Sequence, residues 1–413
     1  MAEPSTSFED GAWSSVISRL PAELIEKILM FLSSYGDLEQ ARLVCRVWNR
    51  LVSRIIQQRL RRFYECVANG KLNFKVVPNT SRFAPSPRFS HGCCVSRNSM
   101  YIFGGCSPSN TAFNDVFELD LKDHKWTRLR ISGSPPPPKE CATMVAHKKR
   151  VIVFGGWCQP SRTGCVSNAR FHNDVHILDT TTLTWSSPCS KGVATGTIQP
   201  CERAGHAACI VEDRMIVFGG AQRQSRFNDV WVLDLNDMQW STPLVRGRRP
   251  SGRFGHSQVA VNDKTILIIG GCGGPNMLFS DVWLLDLIQW RWQEIEVRNQ
   301  KWEAPQLWCH PAVLVQDKVV AFSIPRQQSQ DSSNHDNLVA HVQTYILDCS
   351  KLLTQYFCSW MQPGDNYKAP LATSLHSVVV GRAEFVIFGG IQYSLRQSNS
   401  QNVTNVLVSV TPR

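Results

Sequence analysis

The sequence lacks several features that would place it in a class at once. It has no apolar run near the roughly 18 residues that a membrane-spanning helix needs. Its polar, acidic start, residues 1–10, lacks the basic-then-apolar form of a secretory signal. The 15 cysteines follow no pairwise spacing, and no Cys-x-x-Cys pairs stand at zinc-ribbon distances. These absences favour reduced, buried thiols in a cytoplasmic or nuclear protein, with no metal site.

A dense basic segment is also missing, although the chain carries 44 Lys and Arg against 33 Asp and Glu. The formal net charge of +11 favours acidic partners or nucleic acid. The basic residues are scattered, however, and no run is dense enough for a nucleic-acid-binding arm. We therefore expect a protein partner rather than a nucleic acid.

Neither glycine nor proline occurs between Asp37 and Asn69, and the apolar spacing around this stretch is that of a helix. Pro21 suits a first helical position, and Glu23 suits the first turn. The segment Asp37–Gln40 resembles a capping box that opens a second helix. The sequence thus predicts a disordered start over residues 1–15 and a small all-α module over residues 16–70.

From residue 71 onward, short strand-like runs repeat with a period of about 50 residues. Each unit has Arg-x-x-His or a relic of it, an apolar run ending in a glycine pair, Asp-Val followed by Leu-Asp, and a tryptophan. The tryptophans are Trp126, Trp185, Trp240, Trp292 and Trp360. A further glycine pair is due near residue 321, where the run Ala321–Ile324 has none. Six units with this period predict an all-β six-bladed propeller over residues 71–413.

The sixth unit lacks its fourth strand and its tryptophan. We predict that Leu72–Val77, which precedes the first Arg-x-x-His, supplies the missing strand, with Phe74 in the place of the tryptophan. Closing the ring in this way would remove the exposed edges that an open sheet leaves.

The repeated residues do not converge on a catalytic set. The glycine pairs recur after β-type runs rather than once before a helix, which indicates close backbone approach and not a phosphate loop. The histidines occupy equivalent places in separate units, whereas metal ligands must meet at one point. We therefore expect no catalytic residue, no cofactor and no metal. Loops carry what is unique: the insertion 157–172 and the polar stretch 325–337.

Arginines near turns of the third and fourth units are candidates for binding an acidic or phosphorylated segment of a substrate, because the guanidinium pairs both oxygens of such groups. The candidates are Arg223, Arg226, Arg246, Arg248 and Arg249. Solvated surface is the alternative interpretation. The sequence leaves open whether the two groups of arginines share one face of the propeller.

The helical module resembles the F-box, through Leu20-Pro21-x-Glu23-Leu24-Ile25, Ile28-Leu29-x-Phe31-Leu32 and Arg42-x-Val44-Cys45-Arg46-x-Trp48. Residues 72–413 resemble Kelch repeats. This resemblance implies a substrate-recognition subunit of an SCF-type ubiquitin ligase, which binds a Skp-type adaptor and, through it, a cullin and a RING subunit. It further implies an adaptor-binding module made of Leu20, Pro21, Leu24, Ile28, Leu29, Leu32, Val44, Cys45 and Trp48. The propeller would hold the protein to be ubiquitinated for proteasomal degradation.

Two other functions stay open at this stage. A Kelch-type scaffold acting outside a ligase is the main alternative, and the F-box resemblance argues against it. An oxidase-type propeller needs a central set of Tyr, His and Cys ligands, which no pattern here singles out. Association with a Skp-type adaptor and a cullin distinguishes the ligase subunit from both.

Overall fold

The computed structural model describes residues 19–159, 169–188, 198–298, 307–323, 341–361, 366–392 and 402–413. These residues belong to two compact units, Met1–Phe63 and Tyr64–Arg413, which we call the helical unit and the propeller unit. The predicted disordered start, the loop 325–337 and most of the insertion 157–172 lie outside the described residues. Among the helices of the described ranges, none is both long and apolar enough to cross a membrane.

The helical unit is built from α1 Ala22–Leu29, α2 Asp37–Arg42 and α3 Arg46–Ala68, of which the last five residues are grouped with the propeller unit. Its core is a single apolar cluster of Ile25, Leu29, Leu38, Ala41, Leu51, Val52 and Ile55. The predicted capping box is not formed, because α2 begins at Asp37 itself. Gly36 is then the N-cap residue and has no side chain to cap with.

The propeller unit consists of six four-stranded antiparallel blades, which confirms the predicted fold class. Blade 1 consists of the strands Gly92–Ser96, Ser99–Phe103, Val116–Asp120 and Lys125–Arg128. Blade 2 consists of Thr143–His147, Arg150–Phe154, Val175–Asp179 and Thr184–Ser186. Blade 3 consists of Ala207–Val211, Arg214–Phe218, Val230–Asp234 and Trp240–Ser241. Blade 4 is Ser257–Ala260, Thr265–Ile269, Val282–Asp286 and Arg291–Arg298; blade 5 is Ala312–Val315, Lys318–Ser323, Gln343–Asp348 and Phe357–Trp360, with the one-turn helix α4 Leu352–Gln355 before its last strand. Blade 6 is Ser377–Val380, Phe385–Phe388, Leu407–Pro412 and Leu72–Val77.

Short segments complete the blades at their edges. Ser132–Gly133 and Asn366–Tyr367 add parallel to the outer strands of blades 2 and 6. Glu296–Arg298 of blade 4 pairs parallel with Phe357–Ser359, so blades 4 and 5 form one eight-stranded sheet. Three small hairpins follow the second strands of blades 2, 3 and 4: Trp157–Cys158 with Arg170–Phe171, Ala221–Gln222 with Ser225–Arg226, and Cys272–Gly274 with Met277–Leu278. In blade 6, Thr373–Ser374 before the first strand pairs with Ile391–Gln392 after the second.

The ring closes as the sequence predicts. Leu72–Val77 pairs antiparallel with Leu407–Pro412 as the fourth strand of blade 6, with Phe74 opposite Val410. Phe74 packs edge-on against Phe322 of blade 5, with ring centroids 6.0 Å apart. Trp240 makes the equivalent contact with Phe154 of the preceding blade at 4.9 Å. Phe74 therefore occupies the place of the missing tryptophan.

A ring of backbone hydrogen bonds links the blades next to the Arg-x-x-His motifs. The third residue of each motif or relic has left-handed backbone, with φ between 52° and 63°: Ser90, Cys141, Gly205, Gly255, Cys309 and Leu375. Each of the first five donates its N–H to the carbonyl of its counterpart in the preceding blade, at 2.7 to 3.0 Å. We call the end of the propeller that carries these motifs, the glycine pairs and the small hairpins the motif end.

Candidate functional site

The arginines of the Arg-x-x-His motifs have structural partners. Arg88, Arg203 and Arg253 are fully buried, and they form ion pairs of 2.6 to 2.8 Å with Asp115, Asp229 and Asp281 of the same blades. Each also donates to the carbonyl of the first glycine of its pair. Burial alone would raise the pKa of the Asp229 carboxyl, but the hydrogen bond and the charge of Arg203 hold it below its usual value. These arginines thus bind no outside group.

The motif histidines pack between neighbouring blades. His91, His206, His256 and His376 are buried. A Cβ on Gly219 of blade 3 would lie 3.0 Å from the His256 ring, so glycine is what lets the ring pack there. Burial lowers the pKa of His91, His256 and His376 to about 3, which keeps them neutral. In the described ranges, no group of three His, Cys, Asp or Glu side chains is arranged to hold a metal ion.

Several thiols of the described ranges are buried, and burial makes them weaker acids. The 13 cysteines of the described ranges are all free. Burial raises the pKa of Cys141 to about 11 and that of Cys209 to about 12, so both stay protonated at neutral pH.

The structure divides the residues predicted for adaptor binding. Leu24, Ile28 and Val44 are 45%, 53% and 62% exposed, and Pro21 and Cys45 are exposed as well. Leu29, by contrast, is buried in the core of the helical unit. Leu20, Leu32 and Trp48 pack partly buried against that core. The predicted set therefore contains exposed residues, which are available to a partner, and residues that belong to the core of the helical unit.

Four more apolar side chains point outward and were missed. Phe31 is 91% exposed and Leu43 is 79% exposed, with Met30 and Val47 between 44% and 46%. Phe31 could have been found from the sequence, because Leu24, Ile28 and Phe31 have the i, i+4, i+7 spacing of a helix face, although α1 ends two residues before Phe31. Helix α1 is thus apolar on two sides, and only the side with Ile25 and Leu29 has a partner within the unit. We call Leu24, Ile28, Phe31, Leu43, Val44 and Val47 the outward apolar set.

The five candidate arginines do not form one group. Arg223 and Arg226 belong to the small hairpin of blade 3 at the motif end. Arg246 instead forms a parallel bridge with Arg291, at the start of the outer strand of blade 4. Arg248 pairs with Glu294 of the same strand at 3.0 Å, and Arg249 donates to the carbonyl of Val245. The second group therefore lies along the outer edge of blade 4.

Comparison with known proteins finds matches to both the helical unit and the propeller unit. The "F-box-like" family model matches residues 17–60, and the model "FBX42, beta-propeller domain" matches residues 88–292. Mouse Kelch domain-containing protein 1 is 29% identical over 257 residues, which are 58% of this chain and 61% of that protein. Bovine Kelch domain-containing protein 2 is 31% identical over 268 residues, which are 60% of this chain and 64% of that protein. The matches thus span less than two thirds of these two relatives.

A solved structure supports the fold alone. "Structure of YjhT" superposes with a TM-score of 0.56 at 18% sequence identity, and the match covers 82% of this chain and all of that one.

Proposed function

Because the chain belongs to the F-box and Kelch-repeat proteins, with a propeller of the FBX42 type, we propose that it is the substrate-recognition subunit of an SCF-type ubiquitin ligase. The helical unit would bind a Skp-type adaptor, and the adaptor would connect it to a cullin and a RING subunit. The propeller would bind the protein to be ubiquitinated for degradation. The chain itself would perform no chemistry, since transfer of ubiquitin belongs to the recruited subunits.

The observation that carries this proposal is the outward apolar set. A helix packed on one apolar side needs no second apolar side, yet Leu24 and Ile28 of α1 are exposed, and so is Phe31, two residues past its end. Fully burying a Leu, Ile or Phe side chain is worth about 1.5–3 kcal/mol. Several such side chains exposed on one small unit mark an interaction site. A Skp-type adaptor is the partner that the F-box family supplies for it.

Arg59 of α3 holds the part of the chain that presents Phe31. Its Nη2 atom donates to the carbonyls of Met30 at 2.6 Å and Leu32 at 3.0 Å, on either side of Phe31. These carbonyls lie past the end of α1, where they would otherwise lack a helical partner. The most exposed apolar side chain of the unit is therefore carried on backbone that the unit itself fixes.

Leu24→Asp and Ile28→Asp should each weaken adaptor binding at least 100-fold. An unpaired carboxylate carried into a desolvated interface costs several kcal/mol, and every 1.4 kcal/mol is a factor of ten in affinity. Titration of the purified full chain with a Skp adaptor measures the change. Because both residues are exposed, the helical content of the variants should match that of the wild type.

Ile198→Asp is the matched control, because Ile198 is also 56% exposed but belongs to the propeller unit. It should bind the adaptor as the wild type does. If Leu24→Asp and Ile28→Asp also bind normally, the adaptor does not use this surface and the proposal fails. If the adaptor binds but no cullin co-purifies with the pair, the protein works outside a ligase.

A further inference from the structure

Arg226, at the motif end, differs from the arginines of the Arg-x-x-His motifs in having no carboxylate partner. Arg88, Arg203 and Arg253 are each neutralised by an aspartate. Arg226 uses its Nη1 only for the carbonyls of Arg223 and Ser225, at 2.9 and 3.0 Å, and its Nε is buried without a partner. No ion pair to Arg226 occurs in the described part of the chain. This half-buried guanidinium therefore keeps donors and a full charge for an outside anion.

Arg226 begins a continuous line of contacts along the motif end. Its guanidinium lies 5.0 Å from the ring centre of Phe254 in blade 4. Phe254 in turn meets the indole of Trp308 in blade 5 edge-on, at 6.2 Å. Phe254 also exchanges both backbone hydrogen bonds with Cys272, which is paired with Leu278 in the blade 4 hairpin. We call Arg226, Phe254, Trp308, Leu278 and Met277 the docking strip.

The apolar members of the docking strip face solvent. Trp308 is 42% exposed, Leu278 is 40% and Met277 is 54%. At the same motif position in blade 1, Phe89 is only 8% exposed, so the exposure of Trp308 is particular to blade 5. Glycine at position 255 lets the indole pack directly against the backbone, since a Cβ at this left-handed residue would lie 2.7 Å from the Trp308 ring. The strip is thus a built surface with one unneutralised cation at its end.

We propose that the docking strip binds a linear segment of a partner protein in which an Asp or Glu lies close to a bulky apolar residue. The carboxylate would pair with Arg226, and the apolar side chain would pack on Trp308, Phe254 and Leu278. The two distances along the line place the indole no more than about 11 Å from the guanidinium, which three or four residues of extended chain cover. The inference deepens the proposed function, on which it rests, by naming the chemistry of the substrate segment.

Charge and surface type select this occupant over others. The unpaired guanidinium repels a basic segment and attracts a carboxylate, for which its planar fork is matched. Exposed aromatic and aliphatic side chains beside one arginine are typical of the anchoring residues of protein interfaces. Of the five arginines singled out in the sequence, Arg226 is the one whose guanidinium lies over Phe254 of the strip, whereas Arg248 already has Glu294, so the structure assigns the anion-binding role to Arg226.

A peptide selection on the purified full chain tests the proposal. Random peptides displayed on phage are selected for binding, and synthetic copies of the enriched peptides are titrated by fluorescence polarisation. We expect enriched peptides to carry an acidic residue within about four positions of a Phe, Trp, Leu or Met. Arg226→Gln, Trp308→Ala and Leu278→Ser should each weaken their binding at least tenfold. Arg248→Gln removes the same charge from the edge of blade 4 and should leave the affinity unchanged.

Thermal melts show whether each variant is folded, and Leu278→Ser, at an exposed position, replaces Trp308→Ala if the latter unfolds. Enriched peptides that lack acidic residues, or that bind the folded variants as tightly as the wild type, overturn the proposal. Skp-adaptor binding is measured on the same samples. If the variants bind both the adaptor and the peptides as tightly as the wild type does, this inference fails and the proposed function stands. If the wild type binds the selected peptides but not the adaptor, the proposed function fails and peptide binding by the strip stands.

Discussion

Acidification from pH 7 to about pH 5 should strongly destabilise the propeller. The four buried motif histidines, His91, His206, His256 and His376, are neutral in the folded protein because burial lowers the pKa of each, to about 3 in three of them. In the unfolded chain the same side chains take up a proton below about pH 6.5. The unfolded state therefore binds more protons in this range, and the free energy of unfolding falls as the pH falls.

The expected slope is large. Each histidine contributes about 1.4 kcal/mol per pH unit between its unfolded and folded pKa, so four contribute roughly 5 kcal/mol per unit. A whole domain has about 5–15 kcal/mol of stability. Glu140 acts in the opposite direction, since burial raises its pKa to about 7, but it is one group against four. Denaturant titrations at a series of pH values measure the slope.

His256→Gln provides the test of mechanism. The substitution removes one buried titrating group. The slope should fall by about 1.4 kcal/mol per pH unit, whatever happens to the stability at pH 7. An unaltered slope in His256→Gln would show that acid acts through other groups.

Removal of residues 1–80 should abolish the cooperative melting of the propeller, whereas removal of residues 1–63 should preserve it. The longer deletion takes away Leu72–Val77 and leaves the strand Leu407–Pro412 without its antiparallel partner. It also takes the fully buried Leu72 and the 2% exposed Phe74 out of the core. The shorter deletion ends where the propeller unit begins and keeps the buried Val67. Calorimetry of both fragments decides between these expectations, and equal melting temperatures would show that the ring closes by another route.

Two point substitutions on the closing strand refine this test in the full chain. Phe74→Ala should destabilise the propeller by about 3–5 kcal/mol, as expected for a large buried ring. Val76→Ala, two residues further along the same strand but 52% exposed, should cost much less. A similar loss at both positions would mean that the strand contributes backbone pairing only.

The blades were predictable from sequence because the same pattern of residues recurs in six units. The tryptophans and glycine pairs mark equivalent points of each blade, so the unit that lost its glycines at Ala321–Ile324 could still be recognised by its register. Phe74 was predictable because the sixth unit visibly lacked a tryptophan. A sequence repeat reveals the packing contacts that all copies have in common, and in this protein those contacts define most of the fold.

What sequence could not decide was which of two apolar faces is turned inward. Ile28 and Leu29 are adjacent and chemically alike, yet one is 53% exposed and the other 1%. Their difference depends on where α2 and α3 pack. The arginines show the same limit, because Arg248 meets Glu294, 46 residues away, while Arg226 meets no carboxylate in the described ranges. Charge partners across a sheet are set by register between distant strands, which local sequence does not report.

The closing strand also determines when the propeller can be finished on the ribosome. Leu72–Val77 is synthesised about 340 residues before Leu407–Pro412, its antiparallel partner, and at roughly 5–20 residues per second the wait lasts about 20–70 seconds. During that time a β-prone, largely apolar segment remains without its partner. Lys75 is exposed at the middle of the strand, and a charge in that place discourages pairing with another nascent chain.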